Sequence, residues 1–162
     1  MTLRCGVGER LVREPVGPDA TRPGVGGSAP DFIVSAVVLR DADGRILVVR
    51  KRGTSRYMLP GGKIEAGETP AQAAVRELFE EVGAELDPAH LTFLGEWTAP
   101  AANEPDHTVH GHIFEHPWID GLSVRAEIED LLWLHPDEMA TRDDLAPLLV
   151  TRVLPALAPE VR

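Results

Sequence analysis

Gly62-Lys63-Ile64-Glu65-Ala66-Gly67-Glu68-Thr69-Pro70 runs directly into Ala71-Gln72-Ala73-Ala74-Val75-Arg76-Glu77-Leu78-Phe79-Glu80-Glu81-Val82-Gly83-Ala84. The second half of this stretch predicts one helix. Thr69 is an N-cap, and Pro70 takes the first helical position, where its missing N–H costs nothing. Gln72, three residues after Thr69, completes a capping box. Gly83 ends the helix as a left-handed residue. Ala71, Ala74, Val75, Leu78 and Val82 follow helical spacing and form the apolar stripe.

The polar face breaks two rules at once. Glu77, Glu80 and Glu81 lie at i, i+3 and i+4, so their carboxylates converge on one side. Like charges at this spacing destabilise a helix by about 0.2–0.5 kcal/mol per pair. Glu80 and Glu81 also occupy the last turn, where the helix dipole favours cations. Local violations of this kind mark functional sites. A hard divalent cation such as Mg²⁺ resolves both, because it takes carboxylate oxygens and keeps several waters. Three glutamates alone fit a solvated acidic face better than a site, and the wider pattern reverses that preference.

That pattern is Gly62, five residues, Glu68, seven residues, Arg76-Glu77-Leu78, one residue, Glu80-Glu81, one residue, Gly83. It resembles the complete Nudix box. Pro60-Gly61-Gly62-Lys63-Ile64-Glu65 and Gly67-Glu68-Thr69-Pro70 are similar to the MutT-like branch. The one departure is Ala84, where the family carries a larger aliphatic residue. The box covers 23 of 162 residues, and the flanking strand pattern extends the likeness more weakly over 31–158. The resemblance implies an α/β Nudix fold, a mixed β-sheet sandwiched between helices, with the box as a loop–helix–loop at one end of the sheet. It implies Mg²⁺-dependent hydrolysis, with Mn²⁺ as a substitute, of a nucleoside diphosphate linked to another group. Glu77, Glu80, Glu81 and the Gly61 carbonyl would hold metal. Glu68 would brace the loop or hold a further metal through water, and Arg76 would brace the carboxylates. The general base would be a helix glutamate or Glu127, which holds the place of a glutamate six residues before a tryptophan, here Trp133. Glu129 competes for that place.

Within this chemistry the preferred reading is a nucleoside triphosphate pyrophosphohydrolase. The MutT-like branch includes enzymes that remove oxidised purine triphosphates. ADP-ribose, a dinucleoside polyphosphate or a nucleotide sugar is the rival substrate class. A non-catalytic nucleotide sensor is a further rival, against which the intact glutamates argue.

Composition sets outer bounds. A chain of 162 residues is one domain by length, and 43% hydrophobic with 26% charged residues is ordinary for a globular protein. A net charge of −10 opposes binding of long nucleic acid, which needs a basic surface. A small phosphorylated nucleotide remains compatible, since a metal offsets the repulsion. Cys5 is the only cysteine, which fits a reducing cytoplasm and no internal disulfide. Met1 to Glu14 has no apolar run of the signal-peptide kind, and no stretch approaches a membrane span.

In chain order, residues 1–30 form an arm in which ten of thirty residues are glycine or proline. It reads as a tail, with Leu11 and Val12 as a possible edge strand, or as an arm packing on a second subunit in a homodimer. Residues 31–158 form the catalytic domain. Phe32 to Leu39 and Arg45 to Arg50 predict a hairpin around Asp41-Ala42-Asp43-Gly44. Arg50, Lys51, Arg52 and Arg56 stand out in an acidic chain. Phosphate contact is assigned first to Arg50 and Arg52, which share a strand face. Leu91 to Trp97 and Thr108 to Glu115 are strands flanking a loop that carries Asn103, Glu104 and Asp106. Asn103 is a candidate base-reading group, with Trp97 and Phe114 as apolar walls. His110, His112 and His116 fall on one side of a regular strand. A solvent-facing or substrate-loop row fits them better than zinc, which lacks cysteine and a fixed tetrahedral spacing here. A last strand follows Glu127, then a helical turn over Pro136–Ala140. An amphipathic helix over Asp144–Leu154 closes the chain, with Pro155 near its end.

Overall fold

Phe32–Arg40 (β1) is rich in β-branched residues, and its alternate side chains enter two different cores. Ala36 and Val38 pack on one face of the sheet; Val37 and Leu39 pack on the other. A strand buried on both sides is the mark of a sheet covered by helices on both faces. The computed structural model describes residues 28–159. The expectations for Cys5, for Leu11 and Val12, and for nearly all of the 1–30 arm lie outside that range.

The remaining elements are Ile46–Lys51 (β2), Gly61–Lys63 (β3), Pro70–Val82 (α1), Thr92–Pro100 (β4), Thr108–Pro117 (β5), Ile128–Leu134 (β6) and Pro136–Met139 (α2). The sheet order is β4-β5-β1-β2-β6, with β3 paired to β1 outside this path. β1 and β5 run parallel over nine pairs, from Phe32↔Val109 to Arg40↔Pro117. The other pairings are antiparallel, so the sheet is mixed. α1 lies over one face through Ala74, Leu78 and Val82. The C-terminal segment covers the other through Leu145, Leu148, Leu149 and Val153. This is the expected mixed sheet between helices. Among the described residues no helix is long and apolar enough to cross a membrane.

Three local expectations change. The hairpin over 32–50 survives only at its turn, where Arg40 pairs with Ile46. Beyond it β1 and β2 part, and β3 takes up the freed edge at Val34–Ala36. The closing helix starts near Pro147, not Asp144, and runs past Pro155 to Leu157. Leu149–Val153 forms a π-helical turn. A proline ring clashes with the carbonyl four residues back and brings no N–H. A widened turn upstream of Pro155 accommodates both defects, so the helix continues. The third change concerns the α1 stripe. Ala73 and Glu81 are buried in it, whereas Ala71 and Val75 are only half-buried.

Candidate active site

The local rules for α1 hold. Thr69 Oγ1 accepts from the Gln72 amide at 3.2 Å, and Gln72 Oε1 accepts from the Thr69 amide at 2.9 Å. Gly83 takes φ 71°, and its N–H reaches the Leu78 and Phe79 carbonyls. No basic side chain stands in the last turn. Main-chain donors from a later loop serve instead: Arg125 N–H to Glu81 O at 2.9 Å and Ser123 N–H to Val82 O at 3.1 Å.

Ala73, Glu77 and Glu81 stand one above the other at i, i+4 and i+8, facing β3. The two glycines of β3 leave room for them. A Cβ on Gly62 would sit 2.5 Å from the Glu77 carboxyl carbon. The Gly61 N–H donates to Glu81 Oε2 at 3.0 Å. Glu81 is only 1% exposed, and its Oε1 has no hydrogen-bond donor; Lys51 Nζ stands 3.3 Å away as an ion-pair partner. Burial pushes the Glu81 carboxyl up to about 7, against the opposing pull of Lys51 and the Gly61 amide.

Arg76 is the hub of the other carboxylates. Its Nε and Nη2 fork onto Glu68 at 2.6 and 2.9 Å. Its Nη1 reaches Glu77 at 2.7 Å and Glu80 at 3.4 Å, and Nη2 donates to the Lys63 carbonyl at 3.0 Å. The Arg76 fork, joined by the Glu65 N–H, holds the Glu68 carboxyl down at about 2. Arg76 is raised above the ordinary arginine value by Glu68 and Glu77, against burial. The glutamates therefore divide into two sets. Glu68, Glu77 and Glu80 share Arg76, and Glu81 turns to Gly61 and Lys51. They do not close into one ligand cluster: among the described residues the only three ligating atoms within 4.8 Å of one another belong to Glu96, His110 and His112. Carboxylates on a short lever, one of them with a buried oxygen met only by the Lys51 ammonium at 3.3 Å, fit a hard divalent cation.

Glu127 joins the site through Lys51 Nζ at 3.1 Å. Its carboxyl lies below the usual range; burial opposes this, and a backbone hydrogen bond and Lys51 outweigh it. Glu129 is tied instead to Arg50 at 2.7 Å. The expected sharing of a face by Arg50 and Arg52 fails. The β2–β6 register shifts between Arg50 and Lys51, and β2 ends there. Arg50 lies over the Tyr57 ring and donates to the Thr54 carbonyl, and Arg52 is exposed in the following turn. Neither lines the cavity described next, whereas Lys51 and Lys63 do.

That cavity opens beside β3 on the face away from α1. Phe32, Met58 and Leu148 give it apolar walls, and Asn103 and Glu104 stand at its rim. Asn103 is where the sequence placed it. The walls are not. Phe114 packs in the opposite core under α1, and the Trp97 indole lies against Gly95. β5 alternates faces, so Phe114 points away from the loop that precedes it. His116 keeps to the side of β5 that His110 and His112 share, as a regular strand requires, but it does not face solvent. It is buried, accepts the Asp87 N–H at Nε2 at 3.2 Å and meets the Pro117 carbonyl at Nδ1 at 2.8 Å.

Known proteins share this architecture. A NUDIX domain profile matches residues 31–153. The chain is 32% identical over 133 residues to a MutT-like protein of Streptomyces ambofaciens, covering 80% of each. It is 40% identical over 73 residues to phosphatase NudJ of Escherichia coli K12, a match spanning 44% of this chain and 46% of that one. A MutT NUDIX hydrolase from Burkholderia pseudomallei superposes with a TM-score of 0.66 at 22% identity, over 81% of this chain and 100% of that one. The chain belongs to the Nudix family. Within it, this is a MutT-like pyrophosphohydrolase of nucleotide substrates, and such hydrolases generally use a divalent metal.

Proposed function

We propose that this protein hydrolyses nucleoside triphosphates to a monophosphate and pyrophosphate with Mg²⁺, with Mn²⁺ as a substitute. The observation that carries this reading is the shared wall of β3. Its glycines border both the Asn103 cavity and the carboxylates of α1. A base held against Phe32, Met58 and Leu148, with Asn103 at its edge, leaves its phosphates directed toward Glu77 and Glu81. Apolar walls with a few aimed polar groups are how small ligands are recognised. Lys51 and Lys63 supply positive charge along that path, taking the part first given to Arg50 and Arg52.

Glu77, Glu80 and Glu81, with the Gly61 carbonyl, would hold the cation, and Glu68 would support them through Arg76. When bound, the cation offsets phosphate charge and makes water a stronger acid. A glutamate of α1 takes the proton from the attacking water. Glu127 meets Lys51 Nζ at 3.1 Å and positions it.

The test is competition among 8-oxo-dGTP, dGTP, dCTP and ADP-ribose at equal concentration, read as ratios of kcat/KM. A triphosphate, with an oxidised purine foremost, should lead. A clear lead for ADP-ribose would overturn the triphosphate reading and leave the metal assignment standing. Asn103→Ala should narrow the ratio between the triphosphates. Equal rates for all triphosphates, unmoved by Asn103→Ala, would mean that only phosphates are read.

A further inference from the structure

β4 and β5 carry a second group of ligating side chains on different elements from the glutamates of α1. Glu96 pairs across the strands with His112, and Thr98 pairs with His110. All four lie on the α1 side of the sheet, toward its β4 edge. Glu96 Oε2 is 3.2 Å from His112 Nδ1 and 3.9 Å from His110 Nε2. The two imidazoles meet edge to face with centroids 5.2 Å apart. One atom from each of the three residues falls within a 4.8 Å circle.

We propose that Glu96, His110 and His112 form a binding site for a borderline transition metal, Zn²⁺ foremost. Zinc bonds of about 2.0–2.1 Å in a tetrahedron place ligand atoms about 3.3 Å apart. The Glu96–His112 separation already matches this, and the others close with small rotations of exposed or half-buried side chains. Two imidazoles and one carboxylate select zinc-like ions over Mg²⁺, which wants oxygen ligands. Thr98 Oγ1 sits 2.9 Å from His110 Nδ1. That contact orients the ring and leaves Nε2 facing Glu96, as outer hydrogen bonds do for metal-bound histidines. Among the described residues no lysine or arginine pairs with Glu96, so its charge faces only two imidazoles. With three protein ligands and an open side toward solvent, water completes the coordination. The histidine row noted in the sequence thus contributes two members, and Glu96 from the neighbouring strand replaces His116.

The experiment titrates Zn²⁺ into the full chain by calorimetry in saturating Mg²⁺, which occupies the oxygen-rich site on α1. Co²⁺ absorption reports the geometry. One Zn²⁺ per chain should bind, and Co²⁺ should give an intense tetrahedral visible band. His112→Ala and Glu96→Gln should each weaken binding at least about 100-fold. Thr98→Val should weaken it about 10- to 100-fold, the usual effect of an outer hydrogen-bonding partner. Glu77→Gln should leave it unchanged. Far-UV circular dichroism confirms that each variant is folded. No saturable binding to the parent chain, binding undiminished in both His112→Ala and Glu96→Gln, or loss of the zinc in Glu77→Gln would each overturn the site.

Discussion

Glu81→Gln separates what α1 does for the fold from what it does for the reaction. The carboxyl is buried and sits near 7 instead of 4.5. At about 1.36 kcal/mol per pH unit, that gap corresponds to about 3 kcal/mol of strain when the group is ionised. The sign follows from proton binding. Between 4.5 and about 7 the folded chain holds a proton that the unfolded chain has released, so stability falls as pH rises through this window. Above it the penalty is complete, and below it the penalty is absent. Glutamine keeps the acceptor for the Gly61 N–H and removes the charge. In EDTA at pH 8, Glu81→Gln should therefore be more stable than the parent by about 3 kcal/mol, or about 10 °C in Tm for a domain of this size. The gain should shrink towards zero near pH 4.5. Differential scanning calorimetry at both pH values measures it, and phosphate release in Mg²⁺ measures turnover, which should be abolished. A variant that melts at or below the parent at pH 8 would refute the strain argument. Near-normal turnover would refute the assignment of Glu81 to the site.

Gly62→Ala should lower kcat at least tenfold while leaving Tm within a few degrees, because the new Cβ collides with the carboxylate end of Glu77 and not with backbone; circular dichroism and steady-state kinetics together check it. Mg²⁺ should raise the Tm of the parent by mass action, and the gain should vanish in a variant lacking the carboxylates of Glu77, Glu80 and Glu81; a thermal shift that persisted there would place the stabilising cation elsewhere.

What was legible in the sequence was local. The caps of α1, its direction and its acidic face depend on residues within a few positions of one another, and each side chain has one task. The mixed sheet between helices followed from buried strands and from the likeness of one box. What was hidden required registers between distant strands. Lys51 reaches Glu127 across 76 positions only because β2 and β6 pair with a shift at Arg50. The same shift removes Arg50 and Arg52 from the part the charge pattern suggested. Glu96 is unremarkable until β4 is laid on β5 and brings it opposite His112. The sequence ends the closing helix at Leu154, beside Pro155, whereas burial of Leu149 and Val153 keeps the helix going through a widened turn.

The two glycines of β3 divide the molecule in a way that bears on how such enzymes diversify. On one side lie the acids, held by short-range bonds to Arg76, Lys51 and a main-chain amide. On the other lie Phe32, Asn103 and Leu148, contributed by a strand, a loop and a terminal helix that make none of those bonds. Under the proposed function, substitutions in the second group would retune which nucleotide enters without disturbing the carboxylates. A lineage built on this plan can explore new substrates one pocket residue at a time, and β3 is the narrow strip that both halves must leave unchanged.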